Sequence, residues 1–197
     1  MRLDPSPANT LELIERLSAR VRKRDGQSDL NPAQWSALRY LSQANRMSRT
    51  PGAFAGYHGT TKGTASQTIR CLQERGLVTA TQDQDDRRHT RLDLSPRGRE
   101  LLEADPARVL EQAISALPES RRQQLYGELR HLSDVVQTAD CGAGAASFGR
   151  CAECGRLVGD ETSGWQCDLN REALGANEMT QLCAWFVPNA ERLNRTR

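Results

Sequence analysis

Four cysteines near the C-terminal end carry the most reactive chemistry in this chain: Cys151, Cys154, Cys167 and Cys183. Two residues separate the first pair, 12 precede Cys167 and a further 15 precede Cys183. Thiolates bind zinc and iron tightly, and four of them complete either one tetrahedral ion or one cubane cluster. The segment that holds them is short and poor in aromatic residues. Apolar burial alone gives such a segment little stability, so a bound metal would act as its folding staple. The N-terminus shows no basic stretch followed by an apolar one, so a cytoplasmic, reducing setting is expected. There, clustered thiols bind metal or do redox work more often than they form structural disulfides.

Zinc and iron–sulfur compete for this set. Cys154-Gly155 after a two-residue gap suits the knuckle in which backbone amides bond the sulfurs of a zinc site. Against zinc, Cys167 and Cys183 stand alone where a second Cys-x2-Cys pair is usual. The spacing resembles that of high-potential iron–sulfur proteins over residues 151–186, through Gly164-Trp165-Gln166-Cys167-Asp168-Leu169 and Cys183-Ala184-Trp185-Phe186. That resemblance implies a [4Fe-4S] cluster on Cys151, Cys154, Cys167 and Cys183, screened from water by Trp165, Trp185 and Phe186. Zn2+ is the alternative, and a metal-free thiol–disulfide switch a third. Cys71 is expected as a small core residue and Cys141 as a non-ligand. His58, His89 and His131 lack metal-ligand spacing to one another and are expected at the surface or in caps.

The elements before residue 140 read mostly as helices. Leu11, Ile14, Leu17 and Val21 recur at three- and four-residue steps, as on an amphipathic helix. Asn31-Pro32 starts a second helix with Trp35, Leu38, Tyr40 and Leu41 on its apolar side. Thr50-Pro51 starts a third carrying Phe54 and Tyr57, and Thr61 to Glu74 a fourth that stops at Gly76. Residues 77–80 and 90–94 then read as two strands flanking a charged tip, Gln82 to Arg88. Ser95-Pro96 opens another helix. Apolar stripes follow through Val109, Leu110, Ile114 and Leu117, then Leu125, Leu129, Leu132 and Val136. Such stripes are expected to be core or helix–helix packing. Residues 141–149, CGAGAASFG, read as a linker, which divides the chain into 1–140 and 141–197.

Helix, turn, helix and two-stranded wing is the order of a winged helix-turn-helix. The sequence resembles the MarR family of bacterial transcription regulators over about residues 8–137. The resemblance rests on Thr61-Lys62-Gly63-Thr64-Ala65-Ser66, on Glu74-Arg75-Gly76-Leu77-Val78, on Asp85-Asp86-Arg87-Arg88 and on Leu94-Ser95-Pro96-Arg97-Gly98. It implies a mainly α fold with a small β wing, a homodimer built from the first and last helices of the core, and binding to pseudo-palindromic double-stranded operators. The residues themselves agree with that reading. Thr61, Lys62, Thr64, Ser66, Gln67 and Arg70 put hydroxyl, amide and cationic groups at the start of the fourth helix, where a recognition helix meets bases and phosphates. Gln67 suits adenine, and Arg70 guanine or a phosphate. Arg87, Arg88 and Arg91 of the wing suit phosphates or a narrow minor groove. The bland reading of the wing charges is mutual neutralisation with Asp83, Asp85 and Asp86.

Composition narrows the function. The chain has 197 residues, 37% hydrophobic, with a net charge of +2, enough for one medium domain and a small lobe. No run approaches the roughly 20 apolar residues of a membrane span. Only Lys23 and Lys62 are lysine among 27 basic residues, as expected from a GC-rich genome. A net charge near zero does not oppose DNA binding, which follows local charge placement. There are no paired carboxylates, Ser-His-Asp set or glycine-rich phosphate loop, so no enzyme is expected. The expectation is a dimeric DNA-binding regulator whose C-terminal cluster senses redox state, oxygen or iron. The alternative keeps the DNA function, with structural zinc and a small-molecule effector.

Overall fold

A computed structural model describes residues 5–22, 29–82, 90–141 and 147–189. The first part runs α1 (Pro7–Val21), α2 (Pro32–Gln43), α3 (Pro51–His58), α4 (Lys62–Glu74), β1 (Val78–Gln82), β2 (Thr90–Leu94), α5 (Pro96–Leu102), α6 (Arg108–Ser115) and α7 (Glu119–Cys141). Four of these helices begin by the same chemistry. Ser6, Asn31, Thr50 and Ser95 each accept a backbone N–H from the first turn, and a proline follows where no donor is needed. At Asn31 the bond is reciprocal, because the Gln34 side chain accepts the Asn31 N–H. Gly59 and Gly76, both at positive φ, end α3 and the turn after α4.

The helices α2, α3 and α4 enclose one apolar core. Trp35, Leu38 and Leu41 of α2, Phe54 of α3 and Ile69 and Leu72 of α4 are buried against Leu77, Val78, Leu92 and Leu94 of the wing. Strands β1 and β2 pair antiparallel from Val78↔Leu94 to Gln82↔Thr90, and the Leu92 N–H donates to the Arg49 carbonyl across 2.7 Å. Helix α5 packs so closely on the wing base that a Cβ at Gly98 would lie 2.1 Å from the Leu77 carbonyl oxygen. The fold is therefore mainly helical with small antiparallel sheets, in winged-helix order. The tip of the wing, with Asp83, Asp85, Asp86, Arg87, Arg88 and His89, lies outside the described residues.

The second part is a small β lobe: β3 (Ser147–Arg150), a 3-10 turn at Cys151–Glu153, β4 (Leu157–Asp160), β5 (Gly164–Cys167), β6 (Ala173–Leu174), α8 (Ala176–Met179) and β7 (Leu182–Phe186). β3 pairs antiparallel with β7, and β4, β5 and β6 form a second antiparallel sheet. The expected linker is shorter than 141–149, since Cys141 closes α7 and Ser147 opens β3. Strands this short and irregular carry no alternation to read.

The stripes divide by location. That of α2 is core, whereas α1 buries none of its residues. Leu11, Leu17, Leu129, Leu132 and Val136 are 46–58% exposed. Apolar periodicity marks a face but not its partner, so these two helices carry faces that the single chain leaves open.

Candidate functional site

The exposed surface of α4 is one candidate site. Thr61 caps the helix by accepting the Thr64 N–H. Thr61, Lys62, Thr64, Ser66, Gln67 and Arg70 are all exposed, while Ala65, Ile69 and Leu72 turn inward. The sequence separates the two faces through its period: the buried positions fall at three- and four-residue steps. Arg91 is exposed on β2; Arg87 and Arg88 lie outside the described residues. Cys71 is half-buried at the edge of α4, with the Gln67 amide 3.7 Å from its sulfur, rather than deep in the core. His58 closes α3 at the surface, its Nδ1 3.2 Å from the Ser36 hydroxyl and its ring stacked on Phe54. His131 is exposed on α7.

The thiols form the second candidate. Cys151, Cys154, Cys167 and Cys183 are buried, free of disulfides, and line one cavity with Arg156, Leu157, Leu169, Leu174 and Trp185. The cavity is small, about 10 Å³, and the 44% exposure of Trp185 and Leu169 puts two of its walls at the surface. Among the described residues, no three His, Cys, Asp or Glu side chains close on a point as the ligands of one metal ion do. The thiols stand around a space instead. Of the expected aromatic screen, Trp185 lines the cavity and Phe186 packs on Cys151, Cys154 and Cys183. Trp165 lies on β5, opposite Gly159 and the cavity-lining Leu174.

The electrostatics of the cavity set two of its thiols apart. Cys151 and Cys183 interact directly; this contact, with donation from the Trp185 N–H, Asn45 and Ser48, draws the Cys183 thiol down while its partner Cys151 is pushed up. The Nε of Arg156 is buried and makes no hydrogen bond. A buried guanidinium nitrogen without a partner is costly, and an anionic centre within the cavity would offset that cost. The donor set and the cationic wall thus fit a thiolate-bound metal centre held by Cys151, Cys154, Cys167 and Cys183. Cys141 ends α7, and its side chain lies outside what the structure describes.

Two groups of residues that carry no motif hold this lobe in place. From α7, Arg130 donates to Glu153 at 2.6 Å and covers the Phe186 ring, with its carbon 5.1 Å from the ring centre. Burial penalises the Arg130 charge, yet Glu153, Asp134 and Tyr126 hold its pKa above the ordinary arginine value. From the corner between α2 and α3, Ala44 bridges to Leu182, and the Asn45 N–H donates to the Leu182 carbonyl. Arg46 pairs with Glu172 and Glu178, and Asn170 donates to the Met47 sulfur. The Ala184 N–H donates to the Ser48 hydroxyl at 2.9 Å. Leu182 belongs to the winged-helix core itself, and Phe148 packs edge-on against Tyr57 of α3.

A helix-turn-helix with an exposed polar second helix, a two-stranded wing and a proline-started helix beyond it define a winged-helix protein. Residues 28–89 match the model of the MarR family. The chain is similar to the S. aureus MepR-DNA complex structure, with 21% identity over 67% of this chain and 99% of the MepR chain, at a TM-score of 0.52. It is similarly related to a MarR transcriptional regulator from Methanosarcina mazei Go1, with 19% identity, coverage of 67% and 99%, and a TM-score of 0.51. These two likenesses establish the fold. No curated protein gives a significant match. Coverage of 67% leaves about a third of the chain without a counterpart in these structures.

Proposed function

We propose that this protein is a homodimeric, cytoplasmic DNA-binding transcription regulator whose C-terminal lobe holds a redox-responsive [4Fe-4S] cluster. The observation that carries the cluster reading is the arrangement of Cys151, Cys154, Cys167 and Cys183 around one partly open cavity. A cluster supplies a charge and an integrity that change on oxidation, and the exposed Trp185 wall leaves it within reach of small oxidants. DNA binding is supported by the MarR-type segment and by the exposed groups of α4. Thr61, Lys62, Thr64, Ser66, Gln67 and Arg70 would meet the major groove, and Arg87, Arg88 and Arg91 the backbone or minor groove. The open apolar faces of α1 and α7 support a second copy as their partner. The alternative is structural zinc with a small-molecule effector between the dimer helices and the DNA-binding lobes.

The test is the content of iron, sulfide and zinc per chain after anaerobic purification, with the visible spectrum. A brown protein with iron and sulfide is expected, and Cys167→Ser should lose most of it because three thiolates leave the site incomplete. A colourless protein with one zinc per chain refutes the cluster. Full metal retained by Cys167→Ser refutes the ligand set. Selection of duplexes from a random library tests the DNA function: enrichment of a pseudo-palindrome is expected, and no enrichment refutes it.

A further inference from the structure

Residues 44–49 touch both the thiol lobe and the wing. Asn45 is 2% exposed and Ser48 fully buried, so water cannot replace their partners. The Asn45 amide spans two groups: Oδ1 accepts the Ser48 N–H at 2.9 Å, and Nδ2 lies 3.6 Å from the Cys151 sulfur as its donor. The Ser48 hydroxyl accepts the Ala184 N–H and bonds the Cys183 sulfur. Two of the four cavity sulfurs are thus hydrogen-bonded by side chains of the winged-helix domain. One residue further on, Arg49 holds the wing. Its carbonyl accepts the Leu92 N–H of β2, its Nη1 pairs with Asp93 of β2 at 2.6 Å, and its Nε donates to the Ala44 carbonyl at 2.9 Å. Tyr40 of α2 pins the middle of the corner by donating to the Ser48 carbonyl at 2.6 Å.

We propose that Asn45 and Ser48 are positioning residues that couple the thiol-bound centre to the wing, with residues 44–49 as the coupling element. The proposal rests on the reading of the cavity as a redox-active cluster site. Hydrogen bonds to sulfur strengthen as the sulfur gains negative charge. A change in the charge of the centre therefore changes how firmly Asn45 and Ser48 are held. Both are buried away from water, so the corner must re-pair as a unit. β2, fixed to Arg49 by a backbone bond and an ion pair, moves with it, and the angle of the wing against DNA changes.

The experiment uses the full-length protein with its centre reconstituted, and the duplex recovered by selection on the parent. Asn45→Asp keeps the shape and the acceptor for the Ser48 N–H but removes the donor to Cys151; Ser48→Ala removes the hydroxyl. Each is compared with the parent, at equal metal loading, for midpoint potential and for duplex affinity in the reduced and oxidised states. The parent is expected to show a ratio of affinities in the roughly 5- to 150-fold range of coupled sites. In both variants the ratio falls to about twofold or less, and the potential moves negative because a donor to the ligating sulfur is lost. In Ser48→Ala, which adds no charge beside the thiols, a purely structural role would leave the potential unmoved. If Asn45→Asp fails to fold, Ser48→Ala carries the same comparison. A parent ratio retained in the variants overturns the coupling role while leaving redox sensing intact. A parent with equal affinity in both states overturns the sensing reading and the coupling with it.

Discussion

Replacing Leu182 by alanine tests whether the thiol lobe and the winged helix are one cooperative structure. Leu182 lies on β7, next to Cys183, yet its side chain is 9% exposed and packs in the core of α2, α3 and α4. Its backbone bonds to the corner, the Asn45 N–H to the Leu182 carbonyl and the bridge to Ala44, do not need the side chain and survive the change. What is lost is the burial of three carbons and the contacts around the space they leave. Leucine-to-alanine changes in cores cost about 2–5 kcal/mol, depending on how far the site collapses. Leu182 sits at the edge of its cluster, with some exposure, so a loss of about 2–3 kcal/mol is expected. At a urea dependence of about 1–3 kcal/mol/M, the midpoint falls by roughly 1–2 M. Unfolding is followed by far-UV circular dichroism, which reports the helices, and by indole fluorescence, which includes Trp165 and Trp185 of the lobe. Both transitions should move together, since the two parts share this residue. If the helical transition stays in place while only the fluorescence moves, the lobe is not cemented to the core, and a signal from the thiols has no rigid route to the wing.

Three further outcomes follow from the same geometry. Arg70→Ala removes an exposed cation from α4; affinity for the selected duplex should fall, with the salt dependence reduced by about 0.9 if the contact is a phosphate, and unchanged affinity and slope in a filter-binding titration contradict the α4 interface. Leu129→Asp with Leu132→Asp should give monomers by sedimentation where the parent is a dimer, with little loss of helix in circular dichroism because both leucines are 46% exposed in the single chain; a dimeric double variant rules out α7 as the seam. Gly149→Ala would place a Cβ 2.5 Å from the Phe186 ring, which is buried against three of the thiols. A cost of about 1–3 kcal/mol should appear as easier proteolysis of the lobe and faster loss of bound metal, and parent-like resistance refutes the packing.

What the sequence reveals here follows the locality of the chemistry. Polar–proline pairs at Asn31, Thr50 and Ser95 announce helix starts because capping is settled within four residues, and each of these helices begins there. The faces of α4 are equally legible, since burial of Ala65, Ile69 and Leu72 follows the helical period. The thiols attract notice as a set because four ligand-type side chains in a short polar segment are rare, and the structure gathers them around one space. The partners of the thiols are a different matter. Asn45, Arg46 and Ser48 belong to a stretch that looks like any polar connection, and their roles arise from residues more than 100 positions away. Arg130 and Glu153 likewise read as solvated charges until α7 and the 3-10 turn are brought together. The stripes of α1 and α7 show the same limit from the apolar side, because a period specifies a face and only the assembled chain shows whether anything covers it. The coupling proposed between the thiols and the wing depends on such long-range pairs. That dependence is why the two candidate sites are legible in the sequence, whereas the corner that joins them is visible only in the fold.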